Sequence, residues 1–171
     1  VGRLADAFGM RVVYTNRSGS EDGRWERVEF DELLATADVV SLHCPLTEET
    51  RTLIGRDELR AMRRDAYLVN TTRGPVVDEA ALAEALRDGE IAGAALDVFE
   101  REPEVNEALL SLENVLLVPH LGSATRETRE AMGMLCVEAL EAVLVDERCP
   151  ANAVNPEAWS PARGDERRAR D

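Results

Sequence analysis

The chain has 171 residues, 44% of them hydrophobic and 32% charged, the balance of an ordinary globular domain with a core of its own. Its net charge of -14 argues against a nucleic-acid partner, which wants a basic face, and against an anionic membrane surface. No apolar run approaches the roughly 20 residues a membrane helix needs. Cys44, Cys136 and Cys149 are odd in number and contain no CxxC pair, so they read as reduced thiols of a cytoplasmic protein, with no metal site.

In chain order, Leu4, Ala5, Ala7 and Phe8 give a helical apolar face that Gly9 closes. Opening inside a helix points to a missing upstream portion. RVVYT at 11–15 predicts a buried strand, and the polar residues 16–28 a loop. A short helix is expected over 30–37, with Asp31 near its N-terminus, then a strand over 38–43 that Pro45 stops. Two short helical pieces are expected at 47–53 and 56–62, and a strand at 65–70. Asp78 caps a helix running through Arg87 and ended by Asp88 and Gly89. Residues 91–98 contain a strand, a loop follows, and 115–118 forms the last strand. Thr125 caps a long helix to Val145, with Met132, Leu135, Cys136, Ala139, Leu140 and Val143 at helical spacing. This alternation predicts an α/β fold, a doubly wound parallel sheet with helices on both faces. The charged tail, 160–171, reads as disordered.

Four constellations carry chemistry. At Asn70–Pro75, a strand turns into a helix, and Arg73 could there grip a carboxylate through two parallel hydrogen bonds. An ordinary βα turn with a surface arginine is the plainer reading. Asp97 ends a strand, where an acid can accept a hydrogen bond from a ligand amide, and Glu102 follows; a pair of solvated loop acids is the rival in a chain this acidic. His120 precedes a Gly-Ser turn. With Glu102 in reach, an ionised neighbour would favour imidazolium, the form a carbonyl reduction needs. Asn16 and Arg17 follow the first strand, where a dinucleotide fold reads the ribose. An acid there selects NAD and a nearby arginine suits the 2′-phosphate of NADP, so the pair leans to NADP with NAD still open. No GxGxxG is present.

LHCPLTEETRTLI at Leu42–Ile54, VNTTRGPVVDEAALAEAL at Val69–Leu86, GAALDVFEREP at Gly93–Pro103 and VPHLGSAT at Val118–Thr125 resemble, in order and spacing, the D-isomer-specific 2-hydroxyacid dehydrogenases. The resemblance is greatest to the glyoxylate/hydroxypyruvate reductases. It runs from residue 1 to about Trp159, and implies a partial Rossmann-like dinucleotide-binding domain over 1–159, without its first strand and glycine-rich loop. Arg73 would bind the substrate carboxylate, His120 would be the acid and base at the carbonyl oxygen, and Glu102 would pair with His120. Asp97 would hold the nicotinamide carboxamide. The cofactor, NAD or NADP, would also lie along Asn16, Arg17, His43, Pro45, Thr50, Thr71 and Gly122.

The resemblance implies hydride transfer between NAD(P)H and a small 2-oxo acid, glyoxylate or hydroxypyruvate, giving a D-2-hydroxy acid. Glu102 stands where the family's formate dehydrogenases resemble a glutamine. The alternatives are a phosphoglycerate dehydrogenase and a non-catalytic NAD(H)-binding corepressor-like module. A homodimer is expected, with the helix from Thr125 contributing. Without the glycine loop, the 171 residues alone are expected to bind cofactor poorly and to turn over little substrate.

Overall fold

A computed structural model describes residues 1–17 and 23–160, in two compact units that divide after Gly122. The first unit opens with helix α1 (Gly2–Ala7), followed by strand β1 (Val13–Tyr14) and strand β2 (Glu26–Arg27), which pair in parallel as a separate two-stranded sheet. Helix α2 (Phe30–Thr36) leads into strand β3 (Val39–Leu42). Helix α3 (Arg56–Ala61), strand β4 (Tyr67–Asn70), helix α4 (Glu79–Asp88), strand β5 (Gly93–Leu96), helix α5 (Glu107–Leu110) and strand β6 (Val115–Leu117) follow. The main sheet has the order β3-β4-β5-β6, every pair parallel.

Register explains which residues fill the core. Side chains alternate across a strand, so one face takes every second residue. Val40 and Leu42 lie beside Leu68 and Asn70, which lie beside Ala94 and Leu96, and all six are buried. This face packs with Leu34 of α2, Leu59 of α3, Leu82 and Leu86 of α4, and Leu109 of α5 in one cluster. The opposite face carries Val39, Tyr67 and Leu116, which are all exposed.

The helices begin and end where local chemistry dictates. The carboxylate of Asp78 accepts the Ala81 N–H at 2.9 Å, and Gly89 closes α4 in the left-handed region at φ 65°. Glu58 reaches back from the first turn of α3 to accept the Gly55 N–H at 3.0 Å.

Three local expectations need correction. Residues 47–53 form turns and no helix: Thr50 Oγ1 donates to the Pro45 carbonyl at 2.6 Å and accepts the Thr47 N–H at 2.8 Å, local bonds that compete with helical ones. The stretch 16–28 contains β2, whose Arg27 also donates to the Asn16 carbonyl from Nη2 at 2.9 Å. The loop between Glu102 and Val115 contains α5, capped by the Asn106 side chain on the Ala108 N–H. Residues 18–22 and the tail from 161 lie outside the described residues.

The second unit is built on helix α6 (Arg126–Leu144), whose N-cap is Thr125, accepting the Thr128 N–H at 3.2 Å. Ala142 is its one buried residue among those described, while Met132, Leu135, Leu140 and Val143 are exposed. Among the described residues, no helix is long and apolar enough to cross a membrane.

Candidate active site

Because β3 to β6 run parallel, their carboxyl ends share one edge, and the residues that follow them are brought to that edge. His43 follows β3, Thr71 to Arg73 follow β4, Asp97 follows β5, and His120 lies three residues past β6. The structure brings an acid and a histidine together here: His120 Nδ1 is 2.9 Å from Glu102 Oε2. The other Glu102 oxygen, Oε1, accepts the Phe99 N–H at 3.1 Å, so the carboxylate is aimed by its own loop. Chiefly the hydrogen bond from His120, and then the Phe99 N–H, hold the Glu102 carboxyl below its ordinary value. The charge of Arg73 contributes in the same direction, as the smallest of these causes.

Arg73 is exposed, while the turn that carries it is fixed from within. Asn70 is buried at the end of β4. Its Oδ1 accepts the Thr72 N–H at 3.0 Å and the Thr72 hydroxyl at 2.8 Å, and its Nδ2 donates to the Arg73 carbonyl at 3.1 Å. Arg73 Nη1 donates to the Thr72 carbonyl at 2.6 Å. Gly74 then passes so close to the next loop that a Cβ there would sit 1.9 Å from the Phe99 carbonyl carbon. Only glycine permits that approach.

Asp97 is buried and does more than end a strand. Oδ1 accepts the Leu121 N–H and Oδ2 accepts the Gly122 N–H, the latter at 2.9 Å. Both bonds are charge-assisted. They grip the loop just past His120, whose backbone sits in the left-handed region at φ 51°, a costly place for a non-glycine residue. The N–H of Gly122 is thereby committed to Asp97.

The remaining residues expected to face a cofactor stand as follows. His43 is exposed, with Nε2 2.9 Å from Ser41 Oγ. Pro45 and Thr50 are joined by the Thr50 hydroxyl. Asn16 and Arg17 are exposed after β1, and Arg17 Nη1 is 3.9 Å from Glu49 Oε2. Thr71 is exposed at the end of β4. The donor set fits a dinucleotide in kind: exposed amide, hydroxyl and guanidinium groups follow the ends of parallel strands.

Sequence reasoning missed Asn70, and also Glu79 and Glu100, which lie between the Arg73 turn and the Glu102 loop. Their signals were faint: an amide closing an apolar strand, and an acid at the first position of an apolar helix.

The parallel sheet, its ligand edge and the arginine, glutamate and histidine gathered there define a Rossmann-like α/β dinucleotide-binding domain. Residues 1–122 match the model of the D-isomer specific 2-hydroxyacid dehydrogenase NAD binding domain, and the chain belongs to that family. It is 48% identical to the glyoxylate reductase of Thermococcus litoralis over 159 residues, which are 91% of this chain and 48% of that protein. A Thermus thermophilus protein of known structure superposes with a TM-score of 0.84 at 49% identity, over 90% of this chain and 49% of that one. The NADPH-dependent glyoxylate/hydroxypyruvate reductase of Sinorhizobium meliloti, solved with NADP and malonate, gives 0.85 at 37% identity, over 94% and 51%. The chain thus spans about half the length of the relatives it matches.

Proposed function

We propose that the protein carrying this chain transfers a hydride between NAD(P)H and a small 2-oxo acid, glyoxylate or hydroxypyruvate, to give a D-2-hydroxy acid. The observation that carries the reading is the His120–Glu102 pair, 2.9 Å apart at the sheet's carboxyl edge, to which the turn after β4 also brings Arg73. When bound, the nicotinamide supplies the hydride that reduces the carbonyl carbon. Arg73 binds the substrate carboxylate and so orients the carbonyl. As imidazolium, His120 donates Nδ1–H to Glu102, which leaves Nε2–H to protonate the carbonyl oxygen. In the reverse direction neutral His120 takes that proton back. Glu102 fixes the orientation of the ring.

Asp97 faces the nicotinamide carboxamide in this reading. Each of its oxygens keeps a second lone pair beyond the backbone N–H it accepts. Asn16, Arg17, His43, Pro45, Thr50, Thr71 and Gly122 line the rest of the cofactor. The absence of an acid at Asn16 and Arg17 supports NADP over NAD. A homodimer is proposed through the exposed apolar residues of α6, Met132, Leu135, Leu140 and Val143 among them. A cytoplasmic setting is proposed with it, in keeping with three unbridged thiols.

The test is the glyoxylate-dependent oxidation of NADPH and of NADH by the full-length protein. Turnover with a higher kcat/KM for NADPH is expected. Tight cofactor binding without turnover of glyoxylate, hydroxypyruvate or 3-phosphohydroxypyruvate would overturn the reading in favour of a non-catalytic binding module.

A further inference from the structure

The proposed reaction uses Arg73, Glu102 and His120, with Asp97 toward the cofactor, and gives no part to Glu79, the other buried acid among the described residues. Glu79 is the first residue of α4, and its side chain is buried. Its Oε1 accepts the Glu100 N–H at 2.6 Å, while Glu100 Oε1 accepts the Glu79 N–H at 2.9 Å. Two carboxylates thus each hold the other residue's backbone. The exchange ties the start of α4 to the Phe99–Glu102 loop, across 21 positions of sequence. Beside it, Gly74 brings the Arg73 turn against the carbonyl of Phe99 and the nitrogen of Glu100.

The arrangement has a cost that a merely decorative contact would not carry. Burial pushes the Glu79 carboxyl up, and the Glu100 charge pushes it the same way, against the relief from the N–H groups of Glu100 and Asn106 and the charge of Arg101. Glu100, Asn106 and Arg101 all lie on the loop side of the clasp. At the end of the loop, Glu102 faces His120. An acid kept in such surroundings holds something in register, and the element it holds carries Glu102 on one side and abuts the Arg73 turn on the other.

We propose that Glu79 and Glu100 are positioning residues for the reaction, a reciprocal clasp that holds the Phe99–Glu102 loop so that Glu102 stays on His120 and the loop stays against the Arg73 turn. The proposal rests on the function proposed above, and it extends the machinery from the exposed cluster to a buried support. Breaking the clasp releases the Phe99 N–H and Glu102 together, since the two are bonded to each other. His120 then keeps its place through Asp97 but loses its fixed partner.

The test is steady-state kinetics of the full-length protein, with E79A, E79Q and E100A beside the wild type. Wild-type turnover comes first, so that failure of the functional reading is seen separately. E79A and E100A are expected to lower kcat about tenfold or more through misplacement, with KM for the 2-oxo acid changed far less. E79Q keeps an acceptor oxygen for the Glu100 N–H and should restore the rate. Glu100 is exposed, so E100A carries the test if E79A does not fold. A folded E100A with the wild-type rate, or with a loss that falls on KM and leaves kcat unchanged, would overturn the proposal. So would an E79Q that fails as E79A does.

Discussion

Glu102 is where residue chemistry has the clearest consequence. Its carboxyl is held below the ordinary range by His120 first, so it is ionised throughout the neutral range and offers His120 a fixed anion. E102Q keeps the shape and removes the charge. In the proposed reduction this carboxylate holds His120, so steady-state kinetics of E102Q should show a fall in kcat/KM of about tenfold to a hundredfold, short of a full general-acid contribution. Glu79 makes an opposite prediction, for stability. Its folded value is raised above the unfolded one, chiefly by burial. Its contribution is therefore fully present below the ordinary carboxylate value and is lost as pH rises through the raised one. Thermal melts from about pH 4 to pH 7 should show wild type losing ground to E79Q as pH rises.

At the scale of elements, α4 joins the sequence to the site. Its cap at Asp78, its Gly89 stop and its apolar stripe could be read directly, since each is a local signal with a local cause. The turns at 47–53 could not, because the same Thr and Glu residues suit a helix until side-chain bonds such as Thr50 to Pro45 form. Strand β2 and helix α5 are two and four residues long, below the length at which periodicity speaks. The acid and histidine of the site were legible as types at strand ends. Asn70 and the Glu79–Glu100 exchange were not, since their meaning lies in which backbone groups fold opposite them. L82A, at a fully buried position of α4, should cost about 2 to 5 kcal/mol in chemical denaturation. G74A should do something different. Its Cβ has no room against Phe99, so the Arg73 turn and the Glu102 loop must part, and catalysis should fall even where the protein still folds.

On the scale of the molecule, the alternation of helices and strands announced a parallel sheet, and four strands in sequential order realise it. That order alone gathers residues from 73 to 122 at one edge. The proposed mechanism depends on this convergence more than on any one contact: an arginine after β4, an acid after β5 and a histidine after β6 come to the same edge. The most direct test is kcat/KM for glyoxylate in R73A and H120A of the full-length protein, with NADPH affinity measured in parallel by fluorescence. Both variants are expected to lose about a hundredfold or more in kcat/KM while NADPH affinity stays near the wild-type value. Full activity in both would contradict the account.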